Sequence, residues 1–144
     1  MNRRSLMVWL LAAALAGIFG YAGSLKLRDP AAFALAIENY QLLPSGPSAL
    51  LAVYLPWLEL LIAAGLLLPR WRAGASLLAS LLLAVFTAAV AAALARGLDI
   101  SCGCFGRSDS PLGVALVRDV ALLAVALLVF KMSCVHGGGA PRRS

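Results

Sequence analysis

A four-helix membrane bundle, all-α, with a short amphipathic helix between its first and second spans, is the fold these residues predict. Three observations carry the prediction. The chain is 62% hydrophobic and only 12% charged, whereas soluble domains carry about 25% charged residues. Its mean hydropathy is +0.94. Its apolar residues are gathered into four blocks long enough to cross a bilayer core of about 30 Å at roughly 1.5 Å per helical residue. No block alternates with period two, so a transmembrane barrel is excluded. Helices are the other structure that satisfies its own backbone in lipid. No internal repeat is visible.

The first block, residues 6–21, follows Asn2-Arg3-Arg4. A signal peptide with a cleavage site near Ala22 is the competing reading. The apolar run exceeds the usual length of such a segment, and the sequence beyond it stays membrane-like, which favours a span. The second block covers residues 47–69 and the third 73–95. The fourth covers 112–130 and is interrupted early by Arg118-Asp119. Residues 24–46, between the first two spans, are too many for a turn and too polar for a span. There Asp29-Pro30 starts a helix with Asp as cap and Pro at the first position, and Phe33, Ala36, Ile37 and Tyr40 follow at helical spacing. Leu43-Pro44 ends it. This helix is expected on the outer membrane surface or over the mouth of the bundle. A single membrane domain over 1–136 and a disordered basic tail over 137–144 complete the organisation.

The net charge is +6, but the basic residues flank apolar blocks and do not form a stripe interleaved with aromatics. That argues against nucleic acid and for membrane topology. Arg3, Arg4, Arg70, Arg72, Lys131, Arg142 and Arg143 fall on one side of the four spans. The other side has Lys26, Arg28, Arg96 and Arg107, offset by Asp29, Glu38, Asp99 and Asp109. The positive-inside rule puts both termini in the cytoplasm of a bacterial inner membrane. The connection between spans three and four then faces the oxidising periplasm.

That connection holds "ISCGCFG", residues 100–106. Cysteines two apart can bring their Cα atoms within the ~4.4–6.8 Å that a disulfide needs, and Gly103 removes the side chain that would resist the bend. A tight bond of this kind is readily reduced and suits exchange better than structural stapling. The rival is a soft-metal site for mercury or copper on Cys102 and Cys104. Structural zinc requires four ligands, and Cys134 and His136 lie across the membrane from the pair. Two idle loop thiols are the plainest alternative. Cys134 reads as inert and His136 as a solvated tail residue.

Glu59 stands near the middle of span two, three residues after Pro56. An unpaired carboxylate there costs about 2.5–3.5 kcal/mol on insertion scales, so it should face the bundle interior. It handles protons, binds a polar head group, or is locked to Lys26 or Arg118. Pro56 removes one helix hydrogen bond and bends the span where Glu59 points. Arg118 and Asp119 point about 100° apart on their helix, so they are not expected to partner each other, and one of them is expected to reach another helix. Arg118 near the Cys-Gly-Cys loop would favour thiolate; snorkelling to the headgroups is its simpler role.

These residues carry a family likeness. "FGYAGSLKLRDPAAFALAIENYQLLP", "LPWLELLIAAGLLLP" and "CGCFG", followed by "RD" on the last helix, resemble the MauE-type membrane proteins of the wider DoxX-like group. The likeness covers residues 17–130 and rests on Lys26, Phe33, Tyr40, Leu43-Pro44, Pro56, Glu59 and the Cys102–Cys104 motif. It departs at Asp119, where the family pattern leads one to expect Asn. The resemblance implies a four-helix protein tied to methylamine utilisation and to periplasmic thiol redox, meeting a thioredoxin-like partner and supporting maturation of exported proteins. Cys102, Cys104, Glu59 and Arg118 are the catalytic candidates on this reading, with Lys26, Tyr40 and Asp119 in support. A quinone in the bundle or cytoplasmic thioredoxin would be the second redox partner. The competing functions are the soft-metal carrier and a non-catalytic scaffold for a maturation factor.

Overall fold

The computed structural model describes residues 2–98 and 111–137; Cys102, Cys104 and the tail beyond residue 137 lie outside the described residues. Five helices follow in order: α1 (Arg3–Arg28), α2 (Pro30–Asn39), α3 (Ser45–Leu67), α4 (Arg72–Ala95) and α5 (Leu112–Gly137). All but α2 are long and apolar enough to span a membrane. α1 packs chiefly on α3 and α4 on α5, while α3 meets α4 and α1 meets α5. The four spans therefore form a closed ring in which neighbours run antiparallel.

The core is narrow because its residues are small. Ala12, Leu15 and Ala16 of α1, Ile62 and Leu66 of α3, Ala75 and Ala79 of α4, and Ala126 and Val129 of α5 close against one another. Alanines let helix backbones approach closely, which matters in lipid, where apolar burial gives helices little drive to associate. The opposite faces carry large apolar side chains outward, among them Leu50, Tyr54, Trp57, Leu61, Val85 and Val117. Exposed apolar surface on every span is what a lipid-facing bundle requires.

The first block is a full span of this bundle, and it runs further than its apolar stretch. α1 continues through Lys26 to Arg28, so Lys26 is not the loop charge that the charge pattern suggested. It is 3% exposed and lies inside the bundle. The turn of helix that carries it is held by α3: a Cβ on Gly23 would stand 3.0 Å from the Pro56 carbonyl oxygen and 3.3 Å from Glu59 Cβ. Glycine is required there for α1 to lie this close to the proline-bearing stretch of α3.

Asp29 alone separates α1 from α2, and serves as C-cap of one and N-cap of the other. Its side chain accepts a hydrogen bond from the Ala32 N–H at 3.0 Å, with Pro30 at the first helical position, as the Asp-Pro pair predicts. α2 packs on α3 through buried Phe33 and leaves Leu35 60% exposed. Its end is marked by Gln41 at φ 53, a left-handed position more often taken by Gly or Asn. Arg96, at the end of α4, donates to the Tyr40 and Gln41 carbonyls, so a cation satisfies the C-cap carbonyl of α2 and the one that follows it. α4 itself stops in a Schellman arrangement. Gly97, at φ 69, donates to the Leu94 carbonyl and Leu98 to that of Ala93.

Candidate intramembrane ion-pair site

All four spans contribute to a common point inside the bundle. α1 supplies Lys26, α3 Glu59, α4 Phe86 and α5 Asp119, and all four line one cavity of about 30 Å³. Apolar Phe19, Ala22, Leu83 and Leu122 make up much of the remaining wall. Asp119 is seven positions into α5, so the site lies about 10 Å along that helix from its Leu112 end at ~1.5 Å per residue.

Lys26 Nζ donates to Glu59 Oε1 at 2.5 Å, and both side chains are almost wholly buried. The Pro56–Gly23 contact positions this bond, because it sets the separation of the two helix axes one turn away. The ammonium also lies over two aromatic rings, 4.9 Å from the centroid of Phe33 and 5.1 Å from that of Phe86. Both distances are within the ~6 Å range of a cation–π contact. Lys26 is thus enclosed by a carboxylate from α3 and by ring faces from α2 and α4.

Arg118 and Asp119 correct the expectation drawn from their angular separation. Arg118 donates from Nε and from a terminal nitrogen to Asp119 Oδ1, at 3.1 and 3.0 Å. The Arg stem is long enough to sweep the guanidinium round the helix to its neighbour, so backbone direction alone does not decide the pairing. Asp119 is 3% exposed, whereas the Arg118 side chain stays partly open at 27%. Arg118 is therefore half-buried and bonded to Asp119. Among the described residues, Glu59's charged partner is Lys26.

Two cations and two carboxylates give this cluster a formal charge of zero. The carboxylates nonetheless use only one oxygen each: Glu59 Oε2 and Asp119 Oδ2 are buried with no hydrogen-bond partner among the described residues. No group of three or more His, Cys, Asp or Glu suited to a metal ion occurs among the described residues. Tyr40 belongs elsewhere, in a second apolar cluster with Val90, Ala93, Leu112 and Ala115. It also lines an apolar cavity of about 170 Å³ between α2, α3 and α4, for which Phe86 supplies part of the wall. Cys134 is exposed on the last turns of α5.

Phe86 is the site residue that sequence reasoning passed over. It is the one aromatic side chain in α4, but an apolar residue in an apolar span does not by itself signal a cation contact.

The family description "Methylamine utilisation protein MauE" matches residues 4–132. Similar curated proteins bear the same name. That of Paracoccus denitrificans is 34% identical over 127 residues, covering 86% of this chain and 68% of its relative. That of Paracoccus versutus is 38% identical over 125 residues, 85% of this chain and 67% of the relative. The protein of Methylophilus methylotrophus is 38% identical over 102 residues, 70% of this chain and 54% of the relative. No solved structure matches. With a family match running from the first turn of α1 to within a few residues of the end of α5, the chain belongs to the methylamine utilisation protein MauE family.

Proposed function

We propose that this protein serves methylamine utilisation as a membrane thiol:disulfide exchanger. In it, Cys102 and Cys104 face the periplasm and trade electrons with a thioredoxin-like partner during maturation of exported proteins. One observation carries the reading. The two closely spaced thiols fall in the α4–α5 connection, and the ends it joins are those nearest a buried, charge-balanced site built from every span. Buried ionisable groups in a membrane are functional by default, and thiol exchange needs proton traffic beside it.

The step is balanced. A partner disulfide takes two electrons and two protons from the Cys102 and Cys104 thiols, giving a partner dithiol and a Cys102–Cys104 disulfide; the reverse direction reduces the chain. Arg118 favours the thiolate form, and Glu59 handles the proton. Lys26 leaves the outward loop charges to lie in the bundle, and this sharpens the charge asymmetry that argues for cytoplasmic termini.

Thiol trapping of the purified protein tests the reading. Incubation with an oxidised thioredoxin-fold protein, or with a quinone as alternative oxidant, is expected to convert Cys102 and Cys104 to the disulfide. Cys102→Ser is expected to abolish the change in the partner. If the partner's redox state changes with Cys102→Ser as it does with the parent, the two cysteines are incidental and the protein is a scaffold. If mercury(II) is bound tightly while no disulfide forms, it is a metal carrier. A membrane-impermeant thiol label that reaches Cys134 but not Cys102 in intact cells would reverse the topology.

A further inference from the structure

Glu59 Oε2 and Asp119 Oδ2 are acceptors without donors among the described residues, on side chains 2% and 3% exposed, and both side chains line one cavity. Two orphan acceptors call for two O–H donors. One water has two. A cavity needs about 10–15 Å³ to hold a water, and such a water needs two to four polar partners; this one has about 30 Å³ and the required partners.

We propose that the cavity binds an ordered water that donates to both Glu59 and Asp119, making the two carboxylates of α3 and α5 one proton-exchange site within the membrane. The proposal deepens the proton role given above to Glu59, and it assigns the second carboxyl to Asp119. The transfer needs no further reactant. A protonated Asp119 gives its proton to the water, which passes one of its own to Glu59, leaving an Asp119 carboxylate, a water and a Glu59 carboxyl.

The charged surroundings are defined on every element. α1 contributes Lys26, on Glu59 Oε1, and α5 contributes Arg118, on Asp119 Oδ1. Among the described residues, α2 and α4 present uncharged groups there: the phenyl rings of Phe33 and Phe86 and, on the cavity wall, Leu83. Each cation occupies one oxygen of its carboxylate and leaves the other toward the shared water. The cations thereby fix which oxygens exchange protons. Leu83, Leu122 and Phe86 make the wall beside these groups apolar.

Infrared titration of the whole protein in lipid nanodiscs, with its thiols alkylated, tests the site without any redox step. The redox reading can therefore fail while this one holds, and the reverse. The expected spectrum has a titrating carboxylic C=O band together with a water O–H band that shifts in heavy-oxygen water. Glu59→Gln and Asp119→Asn are each expected to remove the water band and to move the midpoint of the remaining carboxyl by about one pH unit or more, as coupled groups do. Ala22→Val is a second route should either variant fail to fold. It fills the cavity wall, keeps both carboxyls, and is expected to lose the water band alone. Absence of an isotope-sensitive band in the parent overturns the proposal, as does a Glu59 band indifferent to Asp119→Asn or a water band that survives Ala22→Val.

Discussion

Replacing Lys26 by methionine isolates the ion pair, because methionine keeps most of the side-chain volume and removes the charge. Glu59 then remains 2% exposed, and Oε1 loses its Nζ donor while Oε2 already has none among the described residues. Breaking one partner of a buried pair costs about 3–5 kcal/mol. The contacts of the ammonium with Phe33 and Phe86 fall within that range at about 0.5–2 kcal/mol. At about 1.4 kcal/mol per factor of ten, the folded-to-unfolded ratio should fall by roughly two to three and a half powers of ten. Removing both charges as Lys26→Met/Glu59→Met should restore stability to within about 1 kcal/mol of the parent, since buried pairs are replaceable by apolar side chains. Glu59→Met alone breaks the same pair and should also cost about 3–5 kcal/mol, so the coupling energy from the double-mutant cycle is expected at about 5 kcal/mol or above, beyond the ~0.5–3 kcal/mol of ordinary neighbours. The assay is reversible unfolding in mixed micelles, followed by helical circular dichroism. A single variant within about 0.5 kcal/mol of the parent, on the scale of neutral surface changes, or a double variant equal to the sum of the singles would refute the argument.

Gly23→Val places a Cβ 3.0 Å from the Pro56 carbonyl oxygen and should cost about 1–3 kcal/mol by overpacking. Gly17→Ala meets nothing within 4 Å and should be neutral or stabilising by up to about 1 kcal/mol; thermal melts compare the two. Arg96→Ala removes the donors to the Tyr40 and Gln41 carbonyls, so hydrogen exchange should accelerate over the C-terminal turn of α2 while α3 stays protected, with a loss of about 1.5–3 kcal/mol. Cys134→Ser, at an exposed position, should change stability by less than about 0.5 kcal/mol and leave thiol exchange intact in the trapping assay.

The spans were legible because apolar length is nearly sufficient to specify a membrane helix, and α2 because Asp29-Pro30 is a local signal whose geometry the structure reproduces. The end of α1 was not. Lys26 and Arg28 look like loop charges to any rule that counts hydropathy, and only the presence of Glu59 on a neighbouring helix gives Lys26 reason to be buried. Glu59 itself was legible as an inward carboxylate, since lipid excludes the alternative, and one of its two expected partners is the one found. Arg118 was misjudged because angular separation describes Cβ directions, and a guanidinium at the end of a flexible stem is not bound by them. Phe86 was invisible for a different reason. A phenylalanine in an apolar span carries no mark of the cation beneath it until the tertiary structure puts one there.

The order in which the ion-pair members are synthesised has its own logic. Lys26 precedes Glu59 by 33 positions and sits near the end of its span, where a long cationic side chain can reach the headgroups while it waits. Glu59 is far from either end of α3 and has a short stem, so it has no comparable refuge. Asp119 arrives with its own counter-ion in the preceding residue. A nascent chain built in this sequence never has to hold the mid-span carboxylate in lipid before its ammonium is made, and the reverse order would leave it stranded for the length of a helix.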